Sequence, residues 1–122
     1  MGRFSVRQTA GGFKFDLKAP NGETIATSEV YSSRAACEKA IRALSKCAPD
    51  ARIQDLTQAD PPVSNPKFEL YMDRAGAYRF RLRSRNGKIL IFSESYTTRA
   101  ACENGIDSVR KNAAQERSES HP

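Results

Sequence analysis

"SSRAACEKAI" (residues 32–41) and "TTRAACENGI" (residues 97–106) are two versions of the same segment, in which the Arg, both Ala, the Cys, the Glu and the Ile occupy the same places. Extending this match outward aligns residues 12–48 with residues 77–113 without a gap, and 15 of the 37 aligned pairs are identical. Further upstream, "RFSV" (3–6) matches "KFEL" (67–70) once one loop residue is allowed. A match of this length excludes chance and indicates two copies of one structural unit.

Each copy predicts three strands followed by a helix. In "FKFDLKA" (13–19), Phe13, Phe15 and Leu17 alternate with charged residues, which is the period of a half-buried strand. The Asn21-Gly22 pair that follows marks a hairpin turn, because Asn and Gly tolerate the positive φ that tight turns need. The corresponding strands of the second copy are predicted at 68–71, 78–83 and 88–93.

The length of the hairpin loop decides which residues face each other. A two-residue loop would place Leu17 opposite Ala26, whereas a three-residue loop that ends in a left-handed Gly would place Leu17 opposite Ile25. We favour the three-residue loop because it brings the large side chains together. A shift of one residue would turn the third strand over. In the second copy, the favoured register exposes Ile89 and Ile91 on the open face of the sheet.

The repeated segment itself is a helix start. Ser33 (or Ser32) and Thr98 (or Thr97) are natural N-caps, because their hydroxyls can accept hydrogen bonds from free N–H groups of the first turn. Small and apolar residues then recur at helical spacing, and Cys37 and Cys102 fall on the predicted buried faces. The chain contains no CxxC pair, and its single His is His121. We therefore expect no metal site and no cofactor.

These elements predict an α+β protein with one shared core. Residues 1–57 form the first repeat, residues 58–66 a Pro-rich linker, residues 67–113 the second repeat, and residues 114–122 a polar tail that is expected to be disordered. The first repeat ends in "ARIQDLT" (51–57), which has strand character, and the second repeat has no such strand. A single unit of this size buries little apolar surface. We therefore predict one antiparallel sheet with both helices on one face.

Two stretches, "LKAPNGETIATSEVYSSRAACEKAI" (17–41) and "LRSRNGKILIFSESYTTRAACENGIDSVRKNA" (82–113), resemble the YegP-like family of small bacterial proteins with tandem copies of a short domain of unknown function. The resemblance covers nearly the whole chain. It implies two β-β-β-α-β units in a single antiparallel sheet whose terminal strands are exchanged between units, so that residues 51–57 would pair with the second half. The resemblance does not indicate any particular activity.

Composition narrows the class of function. The formal net charge is +6 and the isoelectric point is near 9.5, which favours anionic partners. No apolar run reaches the roughly 20 residues needed to span a bilayer, and the first residues lack the apolar stretch of a secretory signal. We expect a cytoplasmic protein without a membrane partner. Because no nucleophile, His-type base or metal cluster is apparent, we expect no enzymatic activity.

Two groups of residues are candidates for binding. In "YRFRLRSR" (78–85), strand alternation directs Arg79, Arg81 and Arg83 to the open face, where they could contact phosphates. The alternative is a solvated face without a ligand, and no run of aromatic residues is predicted there for stacking bases. Ile89 and Ile91 would add an apolar patch that suits a protein partner or self-association. We therefore predict a small non-enzymatic module that binds protein or self-assembles, with nucleic-acid or other polyanion binding as the alternative.

Overall fold

A computed structural model describes residues 2–113 of the chain. The strands are β1 (Arg3–Thr9), β2 (Gly12–Lys18), β3 (Thr24–Thr27), β4 (Arg52–Asp55), β5 (Lys67–Met72), β6 (Tyr78–Arg83) and β7 (Ile89–Ser93), and the helices are α1 (Arg34–Cys47) and α2 (Arg99–Ala113). The strands form one sheet in the order β1-β2-β3-β7-β6-β5-β4. Both helices pack on one face of that sheet, which is called the helix face below.

The sheet is mixed, and the prediction of a purely antiparallel sheet is wrong at one edge. All neighbouring strands are antiparallel except β4 and β5, which run in parallel with Ile53 beside Phe68 and Asp55 beside Leu70. A parallel pair needs a crossover connection rather than a tight turn. Residues 56–66, which contain the Pro-rich linker, provide that connection. They lead the chain from the end of β4 back to the beginning of β5, beside the beginning of β4.

The two central hairpins have the three-residue loop. In the first hairpin, the N–H of Ala19 donates to the carbonyl of Glu23 at 2.9 Å, which closes the loop over residues 20–22. Gly22 has a φ of 89°, the left-handed conformation that favours glycine at the last loop position. The second hairpin repeats this arrangement, with Gly87 at a φ of 86°.

Beyond the loop, the predicted register is wrong. Leu17 lies opposite Ala26 and not opposite Ile25, although Lys18 still pairs with Thr24. Ile25 is therefore the extra residue of a β-bulge, which shifts the pairing by one. Both Ile25 and Ala26 are buried, so the bulge places two consecutive side chains in the core.

The same bulge in the second hairpin corrects the prediction for Ile91 but leaves Ile89 on the side of Arg83. Leu90 is the extra residue, so Leu82 pairs with Ile91 and Arg83 pairs with Ile89. Ile91 is 0% exposed and belongs to the core, contrary to its predicted place on the open face. Ile89 is half-buried opposite Arg83.

One continuous core joins the two copies. Phe15 and Leu17 from the first copy and Phe80 and Leu82 from the second are all fully buried in the same cluster. The two helices cover this cluster with equivalent residues, which are Cys37, Ile41 and Leu44 in α1 and Cys102, Ile106 and Val109 in α2. The shared core fits the small apolar content of each unit alone.

The repeated helix starts are N-caps. The Ser33 hydroxyl accepts from the N–H of Ala36 at 3.1 Å, and the Thr98 hydroxyl accepts from the N–H of Ala101 at 3.0 Å. Each bond satisfies one of the backbone donors that a helix start leaves free. No helix within residues 2–113 is long and apolar enough to cross a membrane. The predicted disordered tail, residues 114–122, lies outside the described residues.

Candidate nucleic-acid interface

The face of the sheet opposite the helices, here called the open face, can be traced from strand to strand by its paired residues. Asp16 pairs with Thr27, Thr27 with Phe92, Phe92 with Arg81, and Arg81 with Glu69. Directly paired residues of neighbouring strands point to the same side. The open face therefore runs across both repeats without interruption.

This face is strongly basic. Its strand residues include nine cations: Arg3, Arg7, Lys14, Lys18, Arg52, Lys67, Arg79, Arg81 and Arg83. Three carboxylates accompany them. Asp16 and Glu69 lie on the face itself, and Asp73, which follows the end of β5, binds Arg79. The excess of six equals the formal net charge of the whole chain, +6. The open face is therefore a strongly basic surface within the described residues.

Glu69 organises the centre of the basic cluster. Its carboxylate accepts from Arg81 Nε at 2.7 Å and from Arg83 Nε at 2.8 Å, and it lies 3.5 Å from Lys67 Nζ. Glu69 is only 6% exposed. Burial would raise the pKa of Glu69, but the hydrogen bonds and charges of Arg81 and Arg83 outweigh it and lower the pKa below its usual range. One carboxylate thus faces three cations.

The predicted arginine row lies on the open face with each guanidinium held by a partner. Arg81 and Arg83 bind Glu69 through Nε, and Arg83 Nη1 also donates to the carbonyl of Gly87 at 2.8 Å. Arg79 Nε donates to Asp73 at 2.7 Å, and this bond lowers the pKa of the Asp73 carboxyl. Arg79 Nη1 also donates to the carbonyl of Ser93 at 3.4 Å, so the terminal N–H groups that these contacts leave free on the partly exposed guanidinium groups could meet a phosphate.

Two aromatic side chains lie among these arginines, which the sequence interpretation missed. Tyr71 pairs with Arg79 and Phe92 pairs with Arg81, so both rings are on the open face. The Arg81 guanidinium lies 4.6 Å from the centre of the Tyr71 ring. Phe92 could have been placed there only with the bulge at Leu90, which reverses the face of the strand beyond it.

The first repeat supplies the other half of the face. Asp16 accepts from Arg7 Nε at 2.9 Å and from the Thr27 hydroxyl at 2.7 Å. Burial would raise the pKa of Asp16, but the hydrogen bonds of Arg7 and Thr27 lower it further than burial raises it. Lys14 and Lys18 form no ion pair with another described residue, so they add unpaired positive charge.

Ile89 borders a groove at the turn end of the β6–β7 hairpin. The groove has a volume of about 760 Å³ and lies between α1 and the hairpin. Ala36 and Ala40 of α1 line one wall, and Ile89 and Leu90 line the other. Lys39, Arg83 and Lys88 also line the groove, together with Glu29, so its margin is charged with more cations than carboxylates. Of the two predicted isoleucines, only Ile89 is therefore near an accessible surface.

The described part of the chain has neither a cluster of metal-binding side chains nor an exposed cysteine thiol. Residues 2–113 contain no group of three or more His, Cys, Asp or Glu side chains placed to hold a metal ion. All three cysteines are free and buried, and burial raises the pKa of Cys47 and of Cys102 to about 11. Thiols with such a high pKa are poor nucleophiles near neutral pH.

Comparison with known proteins finds relatives of the same architecture. A family model described as "Domain of unknown function (DUF1508)" matches residues 8–55 and again residues 73–119. The UPF0339 protein YegP of Yersinia pestis is 34% identical over 113 residues, covering 92% of this chain and 88% of that protein. A UPF0339 protein of Methanosarcina acetivorans is 51% identical over 51 residues, which are 42% of this chain and 88% of that protein.

A solved structure has the same fold. The solution NMR structure of the protein of unknown function yegP from E. coli superposes with a TM-score of 0.77 and 31% sequence identity, covering 94% of this chain and 88% of that one. The double match, together with the length of the Methanosarcina acetivorans relative, agrees with the two copies found in the sequence.

Proposed function

Since the chain belongs to the family described as "Domain of unknown function (DUF1508)", whose description names no activity, we propose from its geometry that the open face of the sheet binds single-stranded nucleic acid. The observation that carries this proposal is the excess of positive charge on that face, where nine cations accompany three carboxylates. Phosphate contacts supply most of the affinity in sequence-independent binding, and they need such a surface.

The arginines support the proposal through their preorganisation. Glu69 and Asp73 fix the guanidinium groups of Arg79, Arg81 and Arg83 by their Nε atoms. A phosphate would therefore meet donors that have already lost much of their rotational freedom. The arrangement favours phosphate binding through several oriented guanidinium groups rather than through lysine side chains alone.

Tyr71 and Phe92 favour a nucleic acid over a simple polyanion. Aromatic side chains on a basic sheet face can stack on unpaired bases, and such stacking contributes about 1–3 kcal/mol per base. Both side chains are half-buried, so part of each remains exposed. Single-stranded rather than duplex nucleic acid presents the bases that these rings could contact.

The proposal can be tested with two triple variants that change the net charge equally. The probe is a fluorescein-labelled oligouridylate of about 20 nucleotides, measured by anisotropy at low salt. The open-face variant combines Arg3→Glu, Lys14→Glu and Arg52→Glu, and the helix-face control combines Lys39→Glu, Arg42→Glu and Lys46→Glu. We expect the open-face variant to bind at least about tenfold more weakly and with a shallower salt dependence, while the control loses far less.

Three outcomes would overturn the proposal: no binding by the wild-type chain, equal losses in the two variants, or polyphosphate that competes as well as oligouridylate per phosphate. The third outcome would show that charge alone is recognised. Phe92→Leu provides a further check, because it keeps the charge and should weaken oligouridylate binding without changing polyphosphate binding.

A protein partner is the second candidate, and the groove beside Ile89 favours it. The apolar walls and the basic margin of Lys39 and Lys88 fit an acidic peptide with apolar side chains. Within residues 2–113 neither lysine forms an ion pair. The helix-face triple variant described above distinguishes the two candidates, because it should weaken a partner in the groove and spare oligouridylate.

We also infer that the terminal strand of the first repeat is exchanged onto the second. The position of β4 beside β5 supports this interpretation, since β4 follows α1 in sequence and lies at the far edge of the sheet. The exchange would make the two repeats one folding unit, and separation of the chain after residue 57 should leave neither half stably folded.

A further inference from the structure

The groove beside Ile89 continues along α1. A second cavity of about 520 Å³ adjoins it toward the end of α1, and both cavities are lined by Lys39, Ala43, Ser84 and Asn86. Together they follow residues 36–47 of the helix. At a rise of about 1.5 Å per residue, this stretch is about 16 Å long. The two cavities thus form one trough of about three helical turns, here called the α1 groove.

Cations line both walls of the α1 groove. They are Lys39, Arg42 and Lys46 on α1, and Arg83, Arg85 and Lys88 at the turn of the β6–β7 hairpin. The carboxylate that lines it is Glu29. Within residues 2–113, Arg83 alone of the six cations forms an ion pair. The described residues therefore leave most of this positive charge without a partner.

The walls between these cations are apolar. Ala36 and Ala40 of α1 face Ile89 and Leu90 of the hairpin across the α1 groove. Val30 also lines it and is 49% exposed, although it is a large apolar side chain. Exposed apolar surface with a charged margin is typical of a surface that binds another molecule.

The duplication provides an internal comparison for the α1 groove. In the repeat alignment its six cations correspond, in the order given, to Asn104, Asp107, Lys111, Lys18, Pro20 and Glu23, and Glu29 corresponds to Glu94. Six cations and one carboxylate thus correspond to two cations and three carboxylates. Val30 and Ile89 correspond to Ser95 and Thr24. Because both repeats have the same fold, the fold itself requires neither the positive charge nor these apolar side chains.

The described end of the chain lies at the other end of the sheet. Because β3 and β7 are antiparallel, the turn after β2 and the turn after β6 lie at opposite ends of the strands. α2 ends beside the first of these turns, where Gly2 lies against both Asn112 and the carbonyl of Lys18. The α1 groove lies beside the second turn. The net charge of +6 also disfavours a second copy of the chain as the occupant and favours an acidic partner.

Resting on the second candidate function above, we propose that the α1 groove binds an acidic amphipathic α-helix of a second protein. Lys39, Arg42 and Lys46 are three and four residues apart, so carboxylates at the same spacing on a helix along α1 would meet them in register. Apolar side chains between those carboxylates would cover Val30 and Ile89, as in other cases of a helix bound in a groove.

The backbone of the groove favours a helix over an extended segment. The turn uses its own polar groups, since Ser84 N–H donates to the carbonyl of Lys88 at 2.8 Å and Gly87 N–H donates to the carbonyl of Ser84 at 2.9 Å. β7 is paired on both sides, with β3 and with β6. An extended segment would therefore find no strand edge there, whereas a helix satisfies its backbone groups internally.

The proposal can be tested with the peptide Glu-Leu-Ala-Gln-Leu-Glu-Ala-Glu-Leu-Ala-Gln-Leu-Glu-Gln-Glu-Leu, whose leucines share one face of a helix and whose glutamates flank that face. Fluorescence anisotropy of the labelled peptide measures its affinity for the full-length protein, and NMR of the ¹⁵N-labelled protein locates the site. We expect saturable shifts in residues 36–47 and 84–90. The helix-face triple variant should bind at least about tenfold more weakly, and the open-face triple variant, which has the same net charge, should bind nearly as the wild type does.

Ile89→Ala tests the apolar wall without changing the charge. It should weaken peptide binding by about threefold or more, because it removes apolar surface that the leucines would cover. Thr24→Ala, at the equivalent position of the first repeat, is the matched control and should leave binding unchanged. Equal affinities of the two variants would contradict the proposal.

A second peptide of the same composition, in which the leucines alternate with polar residues, tests the helical form. If it binds as well at the same residues, the helix is wrong while the acidic partner of the proposed function stands. Equal losses in the two triple variants, no saturable binding, or shifts at the α1 groove that grow with protein concentration without peptide would overturn both, the last by showing that a second copy occupies it. Oligouridylate binding by the same variants tests the open face separately.

Discussion

The N–H of Phe80 donates to the hydroxyl of Ser93 at 2.8 Å, and that hydroxyl donates to the carbonyl of Glu94 at 2.7 Å. The first repeat has the same arrangement, in which Phe15 N–H donates to Ser28 at 2.9 Å. In both places the serine hydroxyl supplies an acceptor where the paired strands end. Ser28-Glu29 and Ser93-Glu94, which occupy equivalent positions in the two repeats, therefore have a structural role in the sheet.

Ser93→Ala should destabilise the protein, because it leaves the buried N–H of Phe80 without an acceptor. An unsatisfied buried donor costs about 1–3 kcal/mol in the free energy of unfolding. Urea denaturation monitored by circular dichroism measures this change. Ser95→Ala, two residues away at an exposed position, is the control and should change the free energy of unfolding by less than about 0.5 kcal/mol.

The two isoleucines of β7 provide a test of the register. Ile91→Ala should cost about 2–5 kcal/mol, because Ile91 is fully buried and its removal leaves a cavity. Ile89→Ala removes a half-buried side chain at the groove and should cost clearly less. Equal costs for the two variants, measured by denaturation, would contradict the β-bulge at Leu90.

Gly105 is required by a close approach of α2 to an aromatic pair. The rings of Phe80 and Tyr96 are stacked with centroids 6.3 Å apart, and a Cβ at position 105 would lie 2.8 Å from Tyr96 Cζ and 2.9 Å from Phe80 Cε2. Gly105→Ala should therefore destabilise the protein by about 1–3 kcal/mol through overpacking. This loss would exceed the gain of up to about 1 kcal/mol that Ala brings to a helix. Asn104→Ala on the exposed side of α2 is the control and should not destabilise.

Much of the fold was predictable because it depends on local patterns. Alternation assigned Phe15, Leu17, Phe80 and Leu82 to the core, and all four are fully buried. The partner of β4 was not fixed by the residues themselves, because a strand of four residues carries too little pattern to choose its neighbour or its direction. The bulge at Ile25 was likewise hidden, since the sequence there has no Gly or other local signal of a bulge.

The candidate interface was predictable only in part for the same reason. Alternation within β6 placed Arg79, Arg81 and Arg83 on one side, but a single strand does not show what lies beside it. The convergence of Lys67, Arg81 and Arg83 on Glu69 needs the register of β5 against β6. The continuation of the basic surface into the first repeat needs the pairing of β3 with β7, which joins residues far apart in sequence.

Glu69→Gln should separate the structural role of this carboxylate from its effect on binding. The substitution weakens the hydrogen bonds of Arg81 and Arg83 and removes the charge that offsets them, so we expect a loss of about 1–3 kcal/mol in stability. It also raises the positive charge of the open face. Oligouridylate should then bind more tightly if phosphates contact this cluster, and anisotropy measures that change.

The pH dependence of stability gives a second measure of Glu69. The pKa values of Asp16, Asp55 and Glu69 are all lowered in the folded state, so the unfolded chain takes up protons first as the pH falls. The stabilisation is therefore complete above the ordinary carboxyl pKa near 4 and is lost progressively below it. Urea midpoints between about pH 6 and pH 2 should fall less steeply for Glu69→Gln than for the wild type, because one of the carboxyl groups with a lowered pKa no longer titrates. Glu23→Gln at an exposed loop position is the matched control and should follow the wild-type curve.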